Sequence, residues 1–191
     1  MPIIGLGVRR MQGQEIKDLI INSIKIGYHH FDCAADYKNE TEVGEAFKEA
    51  FDTGFVKRED LFITTKLWKS DHGHVIEACK DSLKKLQLDY LDLYLVHLPV
   101  ATRHTGVDTT DSALGEDGVL DIDTTISLET TWHAMEGVPA SISFIIIGFS
   151  ITNSGEGKLQ VFCLLFLSSM SSAIAKHTTY SGEEISPLDS S

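Results

Sequence analysis

Gly27-Tyr28-His29-His30-Phe31-Asp32-Cys33-Ala34-Ala35-Asp36-Tyr37-Lys38-Asn39-Glu40 holds a strand, a turn and the start of a helix. Residues 28–33 have strand length and composition, with Asp32 near the end and Tyr37 five positions on. Asn39-Glu40-Thr41-Glu42 then offers an N-cap with an acid three residues later. Val43, Ala46, Phe47, Ala50 and Phe51 follow at i, i+3, i+4, i+7 and i+8, one face of a helix. Upstream, Pro2 to Val8 reads as a short buried strand, and Ile16, Leu19, Ile20 and Ile24 predict a helix over 14–26 ended by Gly27. Downstream, Leu61-Phe62-Ile63-Thr64-Thr65 ends in Lys66. Helix 73–86 turns Val75, Cys79, Leu83 and Leu86 inward, and strand 90–97 ends in His97. A segment of about 25 residues, Leu98 to Ile122, precedes a fourth helix over 124–136 with Leu128, Trp132 and Met135 on one side. Strand–helix alternation predicts parallel strands with crossover helices. In a barrel of such units, residues just past the carboxyl ends of the strands converge on one face. Asp32, Tyr37, Lys66 and His97 would meet there, a carboxylate, a phenol, an ammonium and an imidazole able to handle protons.

At 191 residues and 42% hydrophobic, the chain can bury a core as one domain. A complete (β/α)₈ barrel needs about 250 residues, with about 200 as a lower limit. The expected fold is therefore α/β, a truncated TIM barrel of about four βα units. Net charge −12 and pI near 5.0 argue against nucleic acid, but they do not bar a small anion held by a local Lys or Arg. Cys33, Cys79 and Cys163 are too few and too scattered for a disulfide framework. Cys33 and Cys79 are expected as reduced core residues. No charged segment followed by an apolar run opens the chain, so a cytoplasmic setting is expected. His29-His30 and His72-Gly73-His74 lack the Cys or carboxylate partners of a metal set, so no metal is expected. Gly5-Leu6-Gly7 is not a dinucleotide fingerprint, because the third glycine is missing.

Near Gly137 the texture changes. Of the 44 charged residues, 16 basic and 28 acidic, six lie beyond it, while 12 of those last 54 residues are serine. Residues 1–137 are read as one unit and 138–191 as a divergent tail, with the character of a retained intron, a frameshift or an alternative exon. Leu159 to Ala175 is uncharged but holds four serines. It is shorter and less apolar than the roughly 20 residues of a membrane span, so a buried or aggregation-prone segment is expected there, not a membrane anchor. An incomplete barrel would also expose a strand edge and invite self-association unless the tail or a partner covers it.

Gly27 to Glu40, continuing to Val43-Gly44, resembles the first signature of the aldo-keto reductases. Leu88-Asp89-Tyr90-Leu91-Asp92-Leu93-Tyr94-Leu95-Val96-His97-Leu98-Pro99 resembles their second, and Thr64-Thr65-Lys66-Leu67-Trp68 matches the strand carrying the family's lysine. Lys66 to His74 and Leu114-Gly115-Glu116-Asp117 are similar to the family's plant members that reduce sugar phosphates. The resemblance covers roughly residues 1–137. It implies NADPH-dependent reduction of an aldehyde, a sugar or sugar phosphate, to an alcohol. Tyr37 would donate the proton to the carbonyl oxygen. Lys66 would favour the phenolate, Asp32 would keep Lys66 charged and serve the cofactor side, and His97 would orient the carbonyl. Lys38 and Trp68 are the substrate-binding candidates, Lys38 through its charge on a phosphate.

Arg9 stands where the family has a tryptophan, and His29 where an arginine is usual. Beyond Gly137 the residues that would hold the nicotinamide, the 2′-phosphate and the adenine are not recognisable; Ile147 to Asn153 resembles the fifth strand only faintly. A rival expectation follows: a catalytically silent chain, acting at most by binding partners.

Overall fold

The computed structural model describes residues 1–107 and 118–138, with two further strands, 145–148 and 163–164, as backbone. The acidic segment 108–117, most of the serine-rich tail and its apolar stretches lie outside the described residues. The order of elements is β1 (Leu6–Gly7), α1 (Gly13–Lys25), β2 (His30–Asp32), α2 (Glu40–Asp52), β3 (Phe62–Leu67), α3 (Val75–Leu86), β4 (Leu93–Val96), α4 (Leu128–Glu136), β5 (Ile145–Gly148) and β6 (Cys163–Leu164). Strands β1 to β5 lie side by side in chain order, all parallel. Four successive βα units build this open part of a barrel, the α/β architecture expected.

The register aligns the carboxyl ends. Gly7 lies opposite Asp32, Asp32 opposite Thr64, Lys66 opposite Leu95, and Leu67 opposite Val96. Ile63 to Leu67 are all buried, as in a parallel strand covered on both faces. Ile16 and Ile20 of α1, Val43 and Phe47 of α2, and Val75 and Leu86 of α3 complete the core. Phe47 meets Phe31 edge-to-face, centroids 5.3 Å apart; burying such a ring stabilises by about 2–3 kcal/mol. Gly44 lets α2 and α3 touch backbone to backbone, since a Cβ there would sit 2.2 Å from the Lys85 carbonyl oxygen.

Several boundaries differ from the sequence reading. The first strand begins at Leu6, and Ile3 and Ile4 are exposed. β2 starts only at His30, its pairing with β1 begins at Leu6 opposite Phe31, and Pro2 has no N–H to offer a ladder. Asn39 precedes α2 but makes no side-chain cap bond there. α4 begins four residues later than expected. Asp123 Oδ1 accepts from the N–H and hydroxyl of Thr125, making a turn, and Ser127 caps the helix by accepting from Thr130 N at 3.0 Å. Leu128 is consequently exposed, and Thr131 and Met135 face the core. The ends of the long loop are pinned as a short antiparallel ladder. Thr102 pairs with Ile122, Arg103 N donates to the Asp121 carbonyl, and Thr102 N donates to the Lys69 carbonyl. The β5 edge is paired with antiparallel β6, a strand of the tail, at Ile147 and Gly148.

Cys33 and Cys79 are buried free thiols, as expected; burial pushes both upward, Cys79 to about 12. His30 Nε2 shares a hydrogen bond with Thr64 Oγ1, and buried His72 bridges Thr131 Oγ1 and the Leu98 carbonyl, each at 3.0 Å. No helix of the described residues is long and apolar enough to cross a membrane.

Candidate active site

Asp32 closes β2, Lys66 is the fifth residue of β3, and His97 follows β4, its backbone N–H held by the Leu67 carbonyl at 3.0 Å. Tyr37 ends a single 3₁₀ turn, Ala35–Tyr37, directly after β2. The next residue, Lys38, closes that turn in the left-handed region at φ 57°. In-line register of parallel strands therefore delivers side chains from three strand ends and one turn to the same carboxyl edge.

Lys66 is the centre. Only 4% exposed, its ammonium pairs with Asp32 Oδ1 at 2.7 Å and donates to the Cys33 carbonyl at 2.8 Å and to Tyr37 Oη at 3.3 Å. A buried ammonium is costly unless paired, and these three acceptors meet all three of its donors. Asp32, 38% exposed along its side chain, keeps one edge open to solvent. The His97 ring stands edge-on to Tyr37, centroids 5.8 Å apart, and to Trp68 at 5.3 Å. Burial, reinforced by the charges of Lys66 and Arg9 against the pull of Asp32, pushes His97 down to about 4. It is therefore a neutral imidazole at physiological pH. Its Nδ1 is buried and has no hydrogen-bond partner among the described residues.

The structure thus brings together Asp32, Tyr37, Lys66 and His97, places Trp68 against His97, and sets exposed Lys38 beside Tyr37. Sequence reasoning missed four neighbours. Asn39, fully buried, donates through Nδ2 to the carbonyls of Val8 (2.7 Å) and Met11 (2.9 Å), tying the β1–α1 loop to the turn that carries Tyr37. Glu40 is buried at the start of α2 and accepts from Thr65 Oγ1 at 2.5 Å and Ser82 Oγ at 3.0 Å, joining α2, β3 and α3 behind Lys66. Burial raises its carboxyl above the usual range. Asp36 is half-buried and likewise raised by burial, against the opposing charges of Lys38, Arg9 and Lys69. Lys69 is 7% exposed, with its ammonium 5.3 Å from the Trp68 ring centroid. No periodicity marks these residues; the one available signal was the density of polar residues around Tyr37.

Three comparisons with known proteins bear on this site. Residues 4–141 match the model of the Aldo/keto reductase family. The chain is 67% identical over 136 residues to the NADP-dependent D-sorbitol-6-phosphate dehydrogenase of Malus domestica, covering 71% of this chain and 44% of that protein. It is 55% identical over 100 residues to the methylglyoxal reductase DkgA of Escherichia coli O157:H7, covering 52% of this chain and 35% of that one. Among solved structures, the aldose reductase of Schistosoma japonicum superposes with a TM-score of 0.70 at 39% identity, over 78% of this chain and 49% of that chain. A Bombyx mori aldo-keto reductase in complex with NADP gives 0.64 at 35% identity, over 77% and 46%. The chain thus spans about half the length of the relatives it matches. Across that half, parallel βα units, shared sequence and shared backbone agree: the chain belongs to the aldo/keto reductase family.

Proposed function

We propose that this chain carries the proton-handling half of an NADPH-dependent reductase that converts an aldehyde, a sugar or sugar phosphate, to its alcohol. The observation that carries the reading is Lys66 Nζ held at once by Asp32, the Cys33 carbonyl and Tyr37 Oη, beside a neutral His97. The donor set fits the reacting end of such a cofactor. Asp32 leaves an open edge at 38% side-chain exposure, and the His97 ring stands edge-on to Tyr37 and Trp68 beside it. Bound NADPH would supply hydride, which is the cofactor's own chemistry.

The chain's residues do the rest. Tyr37 Oη gives its proton to the carbonyl oxygen as charge develops there, and Lys66 holds the resulting phenolate by its ammonium. Asp32 keeps Lys66 charged and aimed. Neutral His97 can donate a hydrogen bond to the same oxygen without a net charge, which fixes the carbonyl's angle. Trp68 walls the pocket beside His97, and Lys38 offers a charge to a substrate phosphate. Residues 1–137 act as the catalytic unit and 138–191 as a separate segment, in a cytoplasmic setting.

A second reading, a silent chain acting at most by binding, is favoured by the end of the family match at residue 141 and by the absence of a recognisable nucleotide grip beyond it. An NADPH titration of the purified chain, following tryptophan quenching and cofactor emission, decides between them. Saturable binding near micromolar with turnover of a sugar phosphate supports the reductase. A folded sample that binds no NADPH supports the silent chain.

A further inference from the structure

β4 delivers His97 to the site at the point where its pairing with β3 stops. The His97 N–H on the Leu67 carbonyl, at 3.0 Å, is a rung of that parallel ladder. Rungs along a parallel strand recur at every second residue, so the next would run from residue 99 to the Lys69 carbonyl. Residue 99 is Pro99, which has no N–H. The Lys69 carbonyl is taken instead by Thr102 N, at 2.9 Å. Between these two bonds the chain has left the ladder, and there a buried side chain takes over. His72, 1% exposed, meets the Leu98 carbonyl through Nε2 and Thr131 Oγ1 through Nδ1, each at 3.0 Å.

The two bonds fix the ring's proton. A carbonyl oxygen only accepts, so Nε2 carries the hydrogen. Burial lowers His72 below the ordinary imidazole value, which leaves Nδ1 bare to accept from the Thr131 hydroxyl. Both supports of the ring are firm. His72 closes the 3₁₀ turn Lys69–Asp71, tied by Asp71 N to the Trp68 carbonyl at 3.1 Å and by His74 N to the Asp71 carbonyl at 2.8 Å. Thr131 is fully buried on α4, its N–H on the Ser127 carbonyl at 3.1 Å.

We propose that His72 is a positioning residue for His97. Its Nε2–H, clamped on the Leu98 carbonyl, holds the backbone just past the last rung, so that the His97 imidazole stays edge-on to Tyr37 and Trp68 and meets the substrate carbonyl at a fixed angle. The clamp acts on the residue next to His97, so a rotation there is carried straight into the direction of the His97 side chain. A misplacement of about 1 Å is enough to cost on the order of 10²-fold in rate. The effect on turnover rests on the reductase reading; the effect on the His97 ring does not.

Two substitutions of similar polarity separate positioning from packing. In His72→Gln the amide nitrogen reaches where Nε2 lies and keeps the donor to Leu98. In His72→Asn it reaches only as far as Nδ1, so the Leu98 bond is lost. The probe is the set of His97 ring signals in ¹³C–¹H spectra without cofactor, assigned by their loss in His97→Asn. The Tyr37 and Trp68 rings, 5.8 and 5.3 Å away, make those signals sensitive to small displacements. They should stay at the parent shifts in His72→Gln and move in His72→Asn. In turnover, His72→Asn should lower kcat about 10- to 100-fold with KM within about twofold, and His72→Gln should stay within about threefold of the parent. Circular dichroism shows that each variant is folded. Should either fail to fold, the parent decides, because its ¹⁵N–¹H spectrum should show His72 as the Nε2–H tautomer. An Nδ1–H tautomer overturns the proposal, as do His97 signals unmoved in folded His72→Asn or equal effects of the two substitutions. If the parent reduces no aldehyde while the ring signals follow the expected pattern, the reductase reading fails and the clamp stands. Turnover by the parent with indifferent ring signals does the reverse.

Discussion

Two ion pairs, both 2.7 Å long, sit at opposite ends of the parallel sheet. At the amino end, Arg58 Nη2 meets Asp92 Oδ2 and also donates to the Tyr90 carbonyl, while Nη1 donates to the Leu61 carbonyl and the guanidinium lies 3.8 Å from the Tyr90 ring centroid. Asp92 Oδ2 further accepts from Ile63 N at 2.8 Å. Every one of these partners is structural, and the pair stitches β3 to the start of β4. At the carboxyl end, Lys66 and Asp32 are tied instead to a phenol that stands edge-on to the His97 ring, and Asp32 is 38% exposed where Asp92 is 18%. Like distances thus serve unlike ends. One pair is closed on the backbone; the other is left open to solvent at Asp32, which is where chemistry can enter.

The sharpest way to break this contrast is Tyr37→Phe. The ring and its packing stay while the transferable proton goes, so kcat for the proposed aldehyde reduction should fall about 10²- to 10⁴-fold, with a melting temperature close to the parent's. Loss of activity together with a large drop in melting temperature would make Tyr37 a structural residue. Arg58→Met probes the other end. It strands Asp92 among buried neighbours and should cost about 3 kcal/mol in chemical denaturation, with part of the loss recovered in the Arg58→Met, Asp92→Leu double variant. A neutral result would mean that the amino-end pair is as dispensable as a surface bridge.

Acid pH tests the carboxyl end without mutation. The folded-state value of His97, about 4, lies below the ordinary imidazole value of 6.5. As pH falls, the unfolded chain therefore takes up the proton first. Stability from neutral His97 is complete above pH 6.5 and drains as pH drops towards 4, by on the order of 3 kcal/mol. His30 and His72, both lowered by burial, act in the same direction. A His97→Asn variant should show a shallower loss across that window; an identical slope would place the effect elsewhere. The smallest effect belongs to neither end. Ser127→Ala removes the cap of α4 and should cost about 1 kcal/mol, measured by denaturant midpoint.

The open end was the more legible in sequence. Its four residues follow short apolar runs whose period and length announce strands, and parallel topology then forces them together. The helices α1 to α3 were legible for the same reason. Arg58 and Asp92 were not, because their meeting depends on a pairing across 34 positions that leaves no local pattern. Asn39 misled. Its place before a helical run is that of a cap, yet its Nδ2 donates to the β1–α1 loop and its buried Oδ1 makes no cap bond. Leu128 misled because the Asp123 turn delayed the helix and so rotated its buried face onto Thr131. In each case a long-range or turn hydrogen bond outweighed a local preference.

The antiparallel pairing of β6 with β5 carries a consequence best put in the language of polymer growth. Each βα unit adds a monomer of fixed polarity to the sheet, and a right-handed crossover needs the next strand to run the same way. A reversed strand at the growing edge presents the perpendicular, alternately spaced bonding of an antiparallel ladder. At Ile147 and Gly148 it acts as a chain stopper. A sixth parallel strand could join there only by displacing it.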